Sequence, residues 1–226
     1  MNPMTRLILA AAVFLATHYV SSTPLRARLV RLLGTNGYLV LYSAVAFAAL
    51  GGMVWAYYRA PYVGLWHSPA LRYAPLVIMP VALFLVVCGV LTRNPTVVGA
   101  EKLIRASDPV RGVLCITRHP VMWGITLWAG SHIAARGDAA ALIFFGSFLM
   151  LAVTGTLLIE RRKRAQLGAD WERFARASSN VPFAAIVTGK TRFSAGEIGW
   201  IRPALALALY GVWGWRHAFL FGARPY

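Results

Sequence analysis

Acidic residues are scarce in this chain. Its 226 residues include 7 Asp and Glu against 23 Lys and Arg, and only 13% of all residues are charged. No carboxylate lies well inside the long apolar runs, because Asp138 and Glu160 stand at their ends. This scarcity argues against calcium or magnesium sites, which need several oxygen ligands. It also argues against proton-coupled transport, which relies on ionisable groups within the membrane.

Cysteine is almost as rare. The chain has two, Cys88 in an apolar run and Cys115 in a polar segment, and no CxxC pair. Neither position suits a disulfide, and a structural zinc site needs more closely spaced ligands. We interpret both cysteines as packing residues.

Apolar residues dominate instead, at 58% of the chain. They form runs of roughly twenty residues, long enough as helices to cross a hydrocarbon layer about 30 Å thick. The pattern predicts an all-α, polytopic integral membrane helical bundle, a single domain over residues 1–226. We predict about six transmembrane helices, at 7–22, 38–58, 73–92, 120–135, 139–159 and 201–221.

Positive charge is concentrated on one side of this bundle. The net charge is +16, and most basic residues fall in segments 23–37, 93–119 and 160–202, which lie on the side opposite the N-terminus. The positive-inside rule makes that side cytoplasmic and both termini periplasmic, as in a bacterial inner membrane. Orientation and attraction to the anionic lipid bilayer explain the charge, so we expect no nucleic acid partner.

Two local patterns predict details of this bundle. In the link "RGD" at 136–138, Gly137 breaks one helix and Asp138 caps the next, which predicts a tight hairpin turn. Beyond the fifth apolar run, Leu167, Trp171 and Phe174 follow helical spacing. We expect that amphipathic segment to insert these side chains into the headgroup layer.

Two histidines lie inside predicted spans, where an imidazole needs a partner. At about 1.5 Å per residue, His18 lies roughly 16 Å from the outer edge of the membrane and His132 roughly 12 Å. Similar depth on different helices allows the two rings to face one another. Neutral imidazoles without carboxylates suit haem iron or copper. A hydrogen bond from each ring to a neighbouring helix is the alternative interpretation.

Haem agrees with other residues in the spans. Arg136 and Arg216 lie near the outer surface, where they can meet haem propionates. Aromatic side chains that can line a porphyrin slot are Phe14, Tyr42, Trp55, Trp123, Trp128 and Trp213. His119 lies at the opposite end of the fourth span, about 20 Å from His132, and therefore cannot bind the same atom.

The order of motifs resembles a known family. The stretches "HYVSSTPLR" (18–26), "RNPTVVG" (93–99), "TRHPVMWGITLWAGSHIAARGD" (117–138), "RRKRAQLGADW" (161–171) and "SSNVPFAAIVTGK" (178–190) resemble the NnrU family of bacterial membrane proteins. The plant and cyanobacterial 15-cis-zeta-carotene isomerases are similar to this family. The likeness covers nearly the whole chain.

The resemblance carries functional expectations. NnrU proteins are associated with nitrite and nitric oxide metabolism in denitrification. On the isomerase side, haem b is held by two histidines that match His18 and His132, which implies a haem-dependent isomerase-like activity on an apolar polyene. A cysteine precedes the second histidine by three residues there, where this chain has Ala129. Nitric oxide is the other ligand that the resemblance implies.

A second resemblance concerns the cytoplasmic end of the fourth span. "RHPVMWG" is similar to isoprenylcysteine and phospholipid methyltransferases, in which such a motif and a downstream pair of carboxylates line an S-adenosylmethionine pocket. This chain has Arg118, His119, Pro120 and Glu160, but Arg161 replaces the second carboxylate. Proline at the first turn of a helix is the structural explanation of the same motif.

Three functions therefore remain open. The first is a haem b protein with His18 and His132 as axial ligands. The second is a methyltransferase-like protein with S-adenosylmethionine near Arg118, His119 and Glu160. The third is a non-enzymatic assembly or regulatory protein of the membrane, in which the histidines only pack.

Overall fold

The computed structural model describes residues 1–222 and is built from helices. Within these residues there is no β-strand, only an isolated antiparallel bridge between Gly64 and Asp138. The helices are α1 (Pro3–Tyr19), α2 (Pro24–Arg59), α3 (Ala74–Leu91), α4 (Val113–Ile116), α5 (Pro120–Arg136), α6 (Ala139–Leu167), α7 (Ala169–Ala177), α8 (Ala184–Val187), α9 (Ala195–Ile198) and α10 (Ile201–Phe221). The predicted all-α membrane bundle is confirmed.

Four described helices are both long and apolar enough to cross a membrane. These segments are Pro3–Ser22, Pro24–Arg59, Leu71–Leu91 and Ala139–Leu167. The other two predicted spans form as helices but are not among the four. Helix α5 has only 17 residues, and α10 carries Arg202, Arg216 and His217 among its apolar side chains.

Helix α2 begins earlier than the sequence predicted. Its first residue is Pro24 rather than residue 38, because the leucine-rich segment before residue 34 is itself helical. Gly34 then interrupts the helix with φ 71° and ψ 170°. Side chains disfavour this backbone conformation and glycine tolerates it. The kink divides α2 into a short first part and a long second part.

The predicted turn between α5 and α6 is confirmed. Gly137 adopts the left-handed conformation, with φ 61° and ψ 23°, and ends α5. The Asp138 carboxylate accepts a hydrogen bond of 3.0 Å from the backbone N–H of Ala141 and so caps α6. The loop after α2 packs on this turn, where the N–H of Leu65 donates to the Gly137 carbonyl at 2.8 Å.

Helices α3 and α5 approach closely because two glycines face their contact. A Cβ atom on Gly124 would lie 2.7 Å from the Ala82 carbonyl oxygen, and one on Gly89 would lie 2.8 Å from the Pro120 side chain. Small residues at such contacts let membrane helices pack backbone to backbone. The fifth helix is therefore held by α3 on one side and by α6 on the other.

A separate hydrophobic core lies around α4 and α7. Trp171 and Phe174 of α7 are almost completely buried, with 0% and 1% of their surface exposed. They pack with Ile104 and Leu114 in one cluster. The prediction that these two side chains enter the headgroup layer is therefore wrong. The apolar face of α7 contacts protein because the segment between α3 and α4, together with α4 itself, covers it.

Candidate functional site

His18 lies near the C-terminal end of α1 and is half-buried. Its Nδ1 lies 2.7 Å from the carbonyl oxygen of Phe14, one turn earlier. A carbonyl only accepts hydrogen bonds, so Nδ1 carries the proton and donates. The ring also contacts Phe14 at a centroid distance of 4.3 Å and Tyr42 at 6.2 Å.

His132 repeats this arrangement on α5. Its Nδ1 lies 2.8 Å from the carbonyl oxygen of Trp128, again one turn earlier. The ring packs at centroid distances of 5.0 Å from Phe145 and 5.7 Å from Trp128. Nδ1 is thus the donor here as well, because the carbonyl cannot donate.

The same orientation in both rings has a chemical consequence. With Nδ1–H committed to the backbone, each neutral imidazole keeps a lone pair on Nε2. Neither Nε2 forms a hydrogen bond with a residue among those described. Histidines that bind metal commonly hold their other ring nitrogen in this way, which fixes the tautomer and the ring plane. In both rings Nε2 is therefore the nitrogen left for a further partner.

A chain of aromatic contacts connects the two histidines. Phe14 packs on Phe148 at a centroid distance of 5.0 Å, and Phe148 packs on Trp128 at 5.0 Å. His18 touches the first of these rings and His132 touches the last. No ring contact joins the two imidazoles directly within residues 1–222. The bundle therefore brings them to one aromatic cluster but not face to face.

The depths of the two histidines also differ more than the sequence predicted. His132 lies beside Phe145, whereas Tyr19, the neighbour of His18, bonds Thr154 on the same helix. Phe145 and Thr154 are separated by roughly 13 Å of helix. Helix α1 spans Pro3–Tyr19 rather than 7–22, so His18 lies one residue before its C-terminal end.

The two arginines predicted to meet propionates are engaged elsewhere. The Arg136 Nε lies 3.2 Å from the carboxylate of Asp138, whose side chain is 1% exposed. The Arg216 guanidinium lies over the rings of Trp215 and Phe219, at 5.1 and 4.8 Å. Arg136 shares helix α5 with His132, but the Asp138 carboxylate already balances its charge.

A cavity of about 230 Å³ opens beside His18. His132 does not line it. Its polar lining comes from the end of α1, from the two parts of α2 and from α6. It includes Arg26, Tyr38, Tyr42 and Arg162. This combination of histidine, tyrosines and arginines around one cavity was not foreseen. The kink at Gly34 creates it, because the kink lets both parts of α2 face the same space.

The second predicted cluster does form, at the start of α5. The His119 Nε2 lies 3.1 Å from Glu160 Oε1, and the Arg118 Nε lies 3.2 Å from the same oxygen. The His119 side chain is only 1% exposed. Burial lowers the pKa of His119, and the attraction of Glu160, which raises it, offsets only part of that effect. The neutral ring therefore donates its Nε2–H to the carboxylate.

Two asparagines that the sequence did not single out, Asn94 and Asn180, complete this cluster. The Asn94 side-chain amide donates to the Arg118 carbonyl at 3.1 Å. The Trp123 indole N–H donates to the Asn180 carbonyl at 2.8 Å, and the Asn180 amide donates to Thr156 at 3.0 Å. The sequence did contain a signal for these residues, because Asn94 belongs to the motif "RNPTVVG" and Asn180 to "SSNVPF". Their partners are distant in sequence and depend on the fold.

Comparisons with known proteins agree with this architecture. A family profile described as NnrU protein matches residues 6–225. The chain is 30% identical over 81 residues to the chloroplastic 15-cis-zeta-carotene isomerase of Zea mays, a match that covers 36% of this chain and 22% of the relative. It is 32% identical over 79 residues to the isomerase of the same name from Arabidopsis thaliana, covering 35% and 22%.

The matches to the two isomerases therefore span about a fifth of their length. No solved structure matches the chain. The family profile, in contrast, covers nearly all of it and agrees with the motifs from 18 to 190 and with the helical membrane bundle. The chain belongs to the NnrU family.

Proposed function

We propose that this NnrU-family protein binds haem b within the membrane, with His18 and His132 as ligands of the iron. The observation that supports this most directly is the shared orientation of the two rings. In each, Nδ1–H donates to the carbonyl four residues earlier, at 2.7 and 2.8 Å, and Nε2 remains for a ligand. Two such histidines on one aromatic cluster are more than helix packing requires.

The donor set fits haem iron in its chemistry. Neutral imidazoles suit iron, whereas calcium and magnesium need oxygen ligands, and no group of three or more His, Cys, Asp or Glu lies together within residues 1–222. The packing of aromatic rings between the two histidines sets a condition for haem binding. Phe14, Trp128 and Phe148 connect the two imidazoles, so these rings must separate before one iron can bind both.

Haem held by His18 and His132 would supply one-electron chemistry and an iron that can interact with nitric oxide or an alkene. The protein's part would be to orient each imidazole through its backbone hydrogen bond and to surround it with aromatic side chains. The relatives are named as isomerases of a carotene. We therefore propose an apolar polyene as one substrate class, and nitrite or nitric oxide metabolism as the other role.

A visible spectrum of the purified protein tests haem binding. The protein is expressed in haem-replete cells, and the reduced-minus-oxidised spectrum is recorded for the wild type, His18→Ala and His132→Ala. We expect a Soret band that changes in both variants. His119→Ala is the matched control, because this histidine is committed to Glu160 and should leave the spectrum unchanged. A wild-type protein without a Soret band contradicts the proposal.

The physiological role requires a separate experiment. Deletion of the gene, followed by an assay of nitric oxide reductase activity and of polyene isomer composition, distinguishes the two roles. Complementation with His18→Ala then separates a haem-dependent function from an assembly or regulatory one. A variant that restores activity without haem supports the non-enzymatic role.

We also propose the orientation that the charge distribution favours. In a bacterial inner membrane, the basic segments around Arg118 and Arg162 would face the cytoplasm and the N-terminus the periplasm. The C-terminal residues 223–226 lie outside the described residues. Reporter fusions at the N-terminus and in the loop at 106–109 test this arrangement, since they should report opposite compartments.

S-adenosylmethionine binding is the second candidate, favoured by the meeting of Arg118, His119 and Glu160 at the cytoplasmic end of α5. The Glu160 carboxylate, however, already contacts both neighbours, and Arg161 follows it. Calorimetric titration with S-adenosylmethionine is the test, with Glu160→Gln as the variant. Heat of binding in the wild type that is lost in the variant would support a methyltransferase-like function.

A further inference from the structure

The cavity beside His18 combines a charged end with an apolar wall. Its volume is about 230 Å³, and its apolar lining comes from α2, α5, α6 and the segment after α3. These side chains are Leu39, Val98, Met122, Leu151, Leu158 and Ile159. No acidic side chain is among its lining residues. The cavity is therefore suited to an apolar body that carries negative charge at one end.

Two arginines provide the charged end. Arg26 and Arg162 both line the cavity, and neither forms an ion pair with a residue of the described part of the chain. One Arg162 nitrogen lies 3.4 Å from the Ser21 carbonyl, which leaves most of its donors unused. Two half-buried cations in one cavity repel each other, and an anion bound between them would offset this repulsion.

A buried hydroxyl points to the same ligand. Tyr38 is 3% exposed, and its hydroxyl has no hydrogen-bond partner among residues 1–222. Leaving a buried hydroxyl unpaired is unfavourable, so a ligand that pairs with it is favoured. The Arg26 guanidinium lies 5.6 Å from the centre of the Tyr38 ring, so the unpaired group and the unpaired charge belong to one site.

We propose that this cavity binds an anionic amphiphile, that is, a carboxylate or phosphate joined to a long apolar chain. Arg26 and Arg162 hold the anion, Tyr38 donates its hydroxyl hydrogen to it, and the apolar chain lies against Met122, Leu158 and their neighbours. Charge-assisted hydrogen bonds from guanidinium to such oxygens are the strongest kind available in proteins. The site requires neither haem nor S-adenosylmethionine.

Native mass spectrometry of the full-length protein in detergent tests this proposal. The probes are palmitic acid, dioleoyl phosphatidic acid and uncharged hexadecanol. We expect one tightly held molecule of an acidic probe and no retained hexadecanol. Palmitate alone would identify a free fatty acid as the ligand class, and phosphatidic acid alone would identify a bilayer lipid. Retention of hexadecanol as strong as that of both acids overturns the proposal.

Variants locate the binding. Arg26→Gln and Arg162→Gln should each weaken retention roughly tenfold, and Tyr38→Phe, which keeps the ring, a few-fold. Arg161→Gln is the matched control, because it removes the same charge from an exposed neighbour that does not line the cavity. An equal loss in Arg161→Gln and Arg162→Gln would reveal a general surface effect and overturn the assignment. Haem content of the same samples is measured separately.

Discussion

The hydroxyl groups of Tyr19 and Thr154 lie 2.6 Å apart and join the end of α1 to the middle of α6. This bond lies one residue beyond His18, so it sets the level at which that histidine meets the bundle. Thr154 also donates to the Met150 carbonyl at 2.6 Å. Its hydroxyl hydrogen is therefore used, and Tyr19 is the donor between the two helices.

Removing this bond should lower stability modestly. We expect Tyr19→Phe and Thr154→Val each to lower the free energy of unfolding by about 1 kcal/mol, as for other hydrogen bonds between membrane helices. Because both changes remove the same bond, the double variant should lose little more than either single one. Thermal unfolding in detergent measures this, and fully additive losses would show that the bond contributes nothing.

The close approach of α3 and α5 makes a sharper prediction. Gly124→Val should destabilise the protein by about 1–3 kcal/mol or more, because its Cβ would meet the Ala82 carbonyl at 2.7 Å. Gly130→Val is the matched control on the same helix, since nothing lies within 4 Å of its Cβ position. Unfolding midpoints of the two variants are compared. Equal midpoints would mean that the two helices are not in this contact.

We expect Asp138 to stabilise the turn between α5 and α6 through two interactions. It caps α6 through the N–H of Ala141 and lies 3.2 Å from the Arg136 Nε. Asp138→Ala removes both interactions, and loss of the cap alone should lower stability by about 1 kcal/mol. Asp138→Asn keeps a capping oxygen and should lie between the wild type and Asp138→Ala. An alanine variant as stable as the wild type would argue against this turn.

The buried His119 predicts how stability depends on pH. Burial lowers the pKa of this ring in the folded protein below its ordinary value of 6.5. Below pH 6.5 the unfolded chain therefore binds a proton that the folded protein does not, and stability falls as the pH falls. His119→Gln keeps a donor for Glu160 and removes the titration.

The unfolding midpoint of the wild type should therefore drop more steeply between about pH 7 and 5 than that of His119→Gln. All other histidines are present in both proteins, so the difference between the two curves reports His119. Parallel curves would show that the ring binds the same number of protons in the folded and unfolded states, so that burial does not lower its pKa.

Much of this molecule follows from local patterns. Apolar runs predict spans at 7–22, 73–92 and 139–159, and the structure has helices at 3–19, 74–91 and 139–167. The runs are informative because a membrane requires every backbone polar group to bond within its own segment. The turn at Gly137 and Asp138 was predicted because its conformation depends only on the backbone preferences of those residues. Helix α2 was misplaced, since a basic segment before Gly34 looks like a loop when only hydropathy is considered.

The sequence predicts which residues belong to the candidate sites but not how these residues are arranged. Helix spacing pointed to His18 and His132. The resemblance to methyltransferases pointed to Arg118, His119 and Glu160, and the structure brings these three together. It does not place the two intramembrane histidines face to face. Their relative depth depends on where α1 begins and on which α6 residues it meets, and neither is encoded in the spacing of histidines along the chain.

The sequence by itself determined the family, the helical membrane bundle and the candidate ligand-binding side chains. These depend on composition, on the length of the apolar runs and on short motifs. Only the tertiary structure decided that Arg26, Tyr38 and Arg162 surround one cavity with His18, and that Trp171 is buried in protein rather than lipid. The reason is physical. Contacts between distant segments depend on helix crossings and on the kink at Gly34, and a one-residue shift of a helix turns its side chains to a different neighbour.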